Sequence, residues 1–419
     1  MTYYRKVGDV PAKRHTLHHG VDGDPLFEEF IGEEGFSGTG SLLYHRFVPS
    51  AIVDAYSWDV GDTSLTANTP LRPRHFRPDP DDAHTVGKDL VRGRHLLLGN
   101  NDVLISRVVA DVPSPLYCNG IGDELVFVAE GSARLESVFG ALDIRQGDNV
   151  VVPRATIHRW IPTEGRLHAI VVEGSGHVQP ARRYRSDLGQ FLEGAPMTER
   201  DLRVPDGPLL VSDELQREFT EVYVKHRDRD GVAGTVMVRD HHPFDVVGWD
   251  GALYPYAFNY RDFSPVVGQV LQPPPSYQVF QGNGFVVCNF VPRPTEFHPQ
   301  AIKVPYYHSN VDSDEVMFYF AGETTARTGS GIVAGSVSLH PAGYPHGPVR
   351  HAYLDSVGKS EVTEVAFMVD TFQPLALGKA AVDNDDESYP WTWATTPARE
   401  SARRDQRSTA GTVSGSRRD

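Results

Sequence analysis

The stretch VPYYHSNVDSDEVMFYFAGETTARTGSGIVAGSVSLHPAGYPHGP, Val304–Pro348, carries the residues on which the reading of this 419-residue chain turns. Its EVMFYFAG segment, Glu315–Gly322, is dense in valine and aromatic residues and stops at glycine, which is the pattern of a strand entering a turn. His308 and Glu315 stand at the start of that strand, and SLHPAGYPHGP, Ser338–Pro348, brings back His340 and His346. In a small barrel the start of one strand and the end of its return strand reach the same mouth, so His308, Glu315 and His346 can converge there. Two imidazoles and one carboxylate form a facial triad that leaves positions open on a metal, and a set without thiolate suits iron or manganese better than structural zinc. His340 competes as a ligand and otherwise lies behind the site or faces a substrate. The bland alternative is a pair of turn or core histidines beside a solvated acidic loop. A lone histidine would favour that alternative, whereas a spaced set inside a repeated β unit favours the metal. Asp312 and Asp314 read as turn residues.

The repeat is visible when SPLYCNGIGDELVFVAEGSARLESVFGALDIRQGDNVVVPRATIHRW, Ser114–Trp160, is laid over the first stretch. Asn119 then falls on Asn310, Asp123-Glu124 on Asp314-Glu315, Gly131 close to Gly322, and His158 near His346. Both halves run strand, glycine turn, second turn, strand, histidine. This is the layout of a double-stranded β-helix, and its occurrence twice implies a mainly β bicupin. The first half has Tyr117 where the second has His308, so the first should be metal-free and the second should hold the metal. Helical signal is confined to short pieces such as Ser186–Ala195 and Ser212–Phe219.

Composition sets limits around this. A net charge of −15 disfavours nucleic acid and anionic lipid as partners. No run of eighteen apolar residues occurs and the N-terminal segment lacks an apolar leader pattern, so a soluble, cytoplasmic protein that spans no membrane is expected. Cys118 and Cys288, the only two cysteines, have no metal or redox spacing and read as packing residues. From Thr396 onward large apolar residues almost vanish, and that tail is expected to be disordered.

With these residues in view, YYHSNVDSDE, GSVSLHPAGYPHGP and HHPFDVVGWDGALYPYAFNYRDF (His241–Phe263) resemble the homogentisate 1,2-dioxygenase family, bacterial branch. The N-terminal GFSGTGSLLYHRFVPSAI and the MVDTFQPLALG stretch extend the likeness over nearly all of residues 1–378. The resemblance implies an N-terminal β-sandwich with a degenerate cupin over 1–265, an iron-binding cupin over 266–378, and a C-terminal segment over 379–419 that is expected to be largely disordered. It implies a homo-oligomer, a hexamer or trimer, and extradiol-type opening of a hydroquinone ring by O2. Fe(II) would be held by His308, Glu315 and His346, with Tyr306 and Tyr307 at the mouth. Two departures stand out. The family's base histidine has no counterpart, because no histidine occurs between Pro243 and Phe297; Leu271 and Gln272 fill that neighbourhood and Tyr277 follows in PPPSYQ. A substrate-binding tyrosine is replaced by Thr324. The expected substrate contacts are therefore Tyr306, Tyr307, Gln272, Tyr277 and Thr324, with His340 as the remaining proton acceptor. The substrate is homogentisate or a related phenol. The alternatives are a different aromatic in a biosynthetic pathway and a metal-binding cupin without oxygenase activity.

Overall fold

The computed structural model describes residues 3–79, 82, 86–187, 189–229, 231–267 and 277–394. Strands dominate, and the chain folds as the expected mainly β bicupin. The first barrel is built on the long strands Glu124–Ser137 and His158–Gly174, with Asp148–Val152 and Val103–Ala110 beside them. The second is built on Phe285–Phe290, Val365–Thr371, Asp314–Ala321 and Val337–His340, paired antiparallel in that order. A four-stranded sheet, in the order Arg5–Gly8, Val246–Gly251, Gly40–His45 and Phe27–Gly32, lies outside both. No helix among the described residues is long and apolar enough to cross a membrane. Ser212–Phe219 supplies one helical turn, Asp213–Gln216; Ser186–Ala195 forms no helix over its described residues.

Alternation along each strand decides what the barrels share. Leu125 and Phe127 point into a core common to both barrels, while Val126 and Val128 fill the first barrel on the opposite face. Val316 and Phe318 likewise face the shared core, where Phe127 stacks on Phe367 at 4.9 Å. The two repeats also turn alike. Gly131 and Gly322 have φ of 82° and 78°. A β-carbon there would collide with the Arg166 carbonyl in one repeat and the Thr363 carbonyl in the other, so the neighbouring backbone excludes a side chain at both.

The sheets cross the division at residue 265 in both directions. Arg74–Phe76, from the first part of the chain, pairs with Val337–Leu339 in the second barrel. Ala376–Leu377, from the second part, pairs with Leu98–Gly99 in the first. The 379–419 segment is folded as far as 394: Lys379–Asp383 packs on His95–Gly99 of the first barrel with Ala381 in the shared core, and Tyr389 is buried against Tyr319 of the second. The disorder expected from Thr396 falls outside the described residues.

The outer sheet is tied down by a buried imidazole. His45 lies between Asp245, 2.7 Å from Nδ1, and Glu29, 3.0 Å from Nε2. Burial alone would lower its pKa, but the two carboxylates raise it to about 9. Folded-state pKa above the unfolded value means stability that is complete below about 6.5 and lost as pH rises through about 9. His45→Gln should flatten that part of the pH–stability curve in chemical denaturation, removing up to about 3 kcal/mol of pH dependence.

Candidate metal centre

The centre begins with an isolated bridge. His308 and His346 exchange backbone hydrogen bonds of 2.9 and 2.8 Å, which brings the approach to one strand against the chain leaving another. Glu315 is directly opposite His340 on one neighbouring strand and Asp370 on the other, so all three side chains fall on one face. Backbone carbonyls then set the imidazoles. Nδ1–H of His308 donates to Tyr306 and Nδ1–H of His346 to Tyr344, both at 3.1 Å, which leaves each Nε2 with a free lone pair. Those Nε2 atoms lie 3.6 and 3.4 Å from the Glu315 carboxylate. Both are buried without a hydrogen-bond partner. The three ligand atoms fall within 4.8 Å of one another. Buried lone pairs aimed at a buried carboxylate are the donor set of a divalent ion, and the residues present fit one.

Two further side chains press on Glu315. His340 Nδ1 is 2.9 Å from Glu315 Oε1, and His340 Nε2 is 2.8 Å from the Tyr389 hydroxyl. Its ring stacks on His346 at 4.3 Å. Burial lowers its pKa to about 4, so near neutral pH it is uncharged. The tautomer that fits donates from Nδ1 to the carboxylate and accepts from Tyr389. Both nitrogens are thus engaged inside the barrel, and His340 has none left to take a substrate proton. Burial pushes the Glu315 pKa up, but the hydrogen bond from His340 and the close imidazoles of His308 and His346 hold it well below the ordinary range. Burial and the charge of Glu315 push Asp370 well above it, and Asp370 Oδ1 has no partner.

The first barrel shows the same scaffold with a different cation. Tyr117 pairs with His158 where His308 pairs with His346, and Glu124 faces Glu173 where Glu315 faces Asp370. His158 Nδ1–H donates to the Thr156 carbonyl at 2.9 Å, two residues upstream, as in His346. Between the carboxylates stands Arg94, bonded to both Glu124 oxygens at 2.9 Å and 3.1 Å from Glu173. Lys225 adds a contact to Glu173 at 2.6 Å, and the Tyr117 hydroxyl donates to Glu124 at 2.8 Å. Burial raises the pKa of Glu124, and Arg94 overrides it and keeps the group well below the usual carboxylate range. A guanidinium fills the first barrel. Among the described residues, no Arg or Lys ion-pairs with either Glu315 or Asp370.

The remaining expected site residues fall in different places. Tyr306 and Tyr307, 40% and 50% exposed, flank His308; the first meets the His308 ring edge-on and the second stacks on Tyr353. Thr324 is half-buried and precedes the short turn Thr325–Arg327. Tyr277 is 1% exposed in the shared core, packed on Phe290 beneath Arg293. Gln272 and Leu271 lie outside the described residues. Asp314 caps loops, accepting from the backbone of Ala342 and Leu375, as its turn position suggested. A cavity of about 530 Å³ lies between the barrels against Phe318, Phe320 and Arg107, and none of the three candidate ligands borders it. Sequence reasoning missed Asp370, Tyr389 and Arg94. The repeat itself could have found Asp370, since it pairs with Glu315 as Glu173 pairs with Glu124. Arg94 and Tyr389 lie outside the repeat and gave no signal.

Fold and site together define a bicupin whose second barrel carries a candidate centre for a divalent metal. The chain belongs to the homogentisate 1,2-dioxygenase family: the N-terminal family profile matches residues 39–260 and the C-terminal profile residues 256–399. A Saccharolobus solfataricus protein provisionally named a dioxygenase is 34% identical over 94% of this chain and the whole of that protein. The homogentisate 1,2-dioxygenase of Emericella nidulans is 29% identical over 67% of this chain and 64% of the fungal enzyme. Among solved structures, a cupin 2 conserved barrel domain protein from Leptotrichia buccalis covers 75% of this chain and 100% of its own at 8% identity, with a TM-score of 0.30.

Removing Arg94 leaves Glu124 buried without its cation, facing a Glu173 that keeps only Lys225. Arg94→Leu should cost about 3–5 kcal/mol in equilibrium denaturation, and Arg94→Lys should recover only part because a single ammonium cannot make the paired contacts to Glu124.

Proposed function

We propose that this protein is an Fe(II)-dependent, extradiol-type ring-cleaving dioxygenase that acts on homogentisate or a related hydroquinone. The observation that carries the reading is the pair of partnerless, buried Nε2 atoms of His308 and His346 aimed at Glu315, a carboxylate with which no Arg or Lys among the described residues forms an ion pair. Membership of the homogentisate 1,2-dioxygenase family supports it. Iron(II) bound by these three residues would act as a Lewis acid with open positions for O2 and a phenolic oxygen.

The chain's own residues do the rest. Carbonyls of Tyr306 and Tyr344 fix the tautomers of the two histidine ligands, and His340, held by Tyr389, fixes one oxygen of Glu315. Tyr306 and Tyr307 supply aromatic surface at the rim, where a ring can lie beside the exposed edge of His308. Asp370 offers an oxygen without a partner on the same interior face. It can accept a hydrogen bond from a substrate hydroxyl, a role the family resemblance assigns to a histidine that this sequence lacks.

A second reading is favoured by Thr324, which is too short to reach as the family's tyrosine does. In that reading the same chemistry serves another aromatic, because losing one or two polar contacts in a pocket readily shifts substrate choice. Anaerobically iron-loaded protein assayed for O2 uptake over a panel of hydroquinones and catechols decides between them. Turnover of homogentisate in the ordinary range of about 1–1000 per second supports the first reading. Uptake only with another phenol, and a rise in homogentisate turnover in Thr324→Tyr, supports the second. No uptake with any substrate would leave a metal-binding cupin and sink both.

His340→Gln separates orientation from proton transfer. The variant should bind Fe(II) about 10–100-fold more weakly in chelator competition, because Glu315 loses its orienting donor. At saturating iron the pH profile of turnover should keep its shape.

A further inference from the structure

Outside the barrel centre, a second set of donors stands where the outer sheet meets the first barrel. Glu33 follows the outer-sheet strand Phe27–Gly32, Asp123 precedes Glu124 in the first barrel, and His177 follows the strand His158–Gly174. His177 Nδ1 lies 3.2 Å from Glu33 Oε1 and 3.6 Å from Asp123 Oδ1. It makes no hydrogen bond to either. One ligand atom from each residue falls within 4.8 Å of the others. Asp123 is oriented by backbone donors, Arg154 N–H to Oδ1 at 2.7 Å and Val178 N–H to Oδ2 at 2.8 Å. Glu33 and Asp123 are 10% and 3% exposed at the side chain. Among the described residues, no Arg or Lys ion-pairs with either.

An independent observation comes from the strand Tyr256–Asn259. Tyr256 is 3% exposed, and its hydroxyl is buried without a hydrogen-bond partner. It lines, together with Glu33 and Asp123, a cavity of about 20 Å³. A space of that size holds about one water, and a buried hydroxyl facing it without a partner signals something polar that belongs there.

We propose that Glu33, Asp123 and His177 form a second divalent-metal site, of the Mn2+ or Zn2+ class, distinct from the His308–Glu315–His346 centre. One imidazole nitrogen and two carboxylate oxygens suit a borderline-to-hard divalent ion, and one solvent molecule in the cavity completes the set and meets the Tyr256 hydroxyl. The ion bridges the outer sheet to the first barrel and is structural, because Glu33 adjoins a sheet that no strand pairing joins to the barrel strands carrying Asp123 and His177. The ordinary alternative is an imidazolium of His177 shared between two carboxylates.

The test uses the full-length protein with its barrel centre removed by His308→Ala, equilibrated with Mn2+ or Zn2+ and freed of excess metal. We expect the variant to retain one ion per chain and to gain thermal stability with added metal. Both effects should vanish when Glu33→Gln and His177→Ala are added. A variant with Glu33→Gln and His177→Ala in the otherwise intact protein should hold one ion fewer than the parent while keeping its iron. Should the extra changes prevent folding, Mn2+ electron paramagnetic resonance of the His308→Ala protein still decides, since a bound ion broadens and reduces the free-ion signal. Metal content of zero in the His308→Ala protein, with no stabilisation by either metal, overturns the proposal. The readout is independent of dioxygenase activity, so an inactive protein that still binds this ion leaves the second site standing.

Discussion

Two acidic side chains facing each other across neighbouring strands must be given a positive charge or a proton, and that requirement organises both barrels. In a buried setting an uncompensated carboxylate costs several kcal/mol, so the pair cannot simply be tolerated. The first barrel answers with Arg94, reaching in from the segment before His95–Gly99 to grip Glu124 and Glu173. The second barrel has the same pair in Glu315 and Asp370, with the imidazoles of His308, His340 and His346 around Glu315. Placing His308 where the first barrel has Tyr117 exchanges a phenol that can only satisfy a carboxylate for a nitrogen that can bind a metal. The two halves thus differ in the source of the cation more than in the shape of the cage.

Support for the cage comes from beyond the barrel strands. Tyr389, in the short turn Tyr389–Trp391, fixes His340, and His340 fixes Glu315. Arg327 lies over the rings of both Tyr389 and Trp393, at 4.8 and 3.7 Å, and donates to Thr392. The segment after Gly378 therefore acts on the site through packing and one hydrogen-bond chain, without touching the candidate ligand atoms.

The fold was legible because its signals are local and repeated. Strand runs ending in Gly131 and Gly322, and the shared seven-residue step from Tyr117 to Glu124 and from His308 to Glu315, survive in the sequence as pattern. The triad was readable for the same reason: its members sit at the starts and ends of those strands. His340 was placed correctly near the mouth in sequence, yet its role depends on which way each nitrogen points, and only the Tyr389 hydroxyl settles that. Tyr277 is expected to face substrate because it adjoins positions that are polar in the family, and it instead fills the shared core against Phe290. Arg94, some thirty residues before its partner Glu124, carries no periodicity or motif, so nothing short of the folded arrangement could reveal it. The same holds for the strand exchange, since pairing partners far apart in sequence leave no local trace.

The exchange of Arg74–Phe76 and Ala376–Gly378 between barrels has a bearing on how the chain is made. During synthesis from the N-terminus, Arg74–Phe76 emerges long before Val337–His340 exists to receive it, and the His95–Gly99 edge waits still longer for Ala376–Gly378. Open strand edges recruit other chains, so the nascent first barrel passes through a period in which its own borders are adhesive. Completion of the second barrel closes both edges at once. Maturation of the candidate centre and protection from aggregation are consequently one late event, and any ribosomal pause between the two barrels prolongs the vulnerable state.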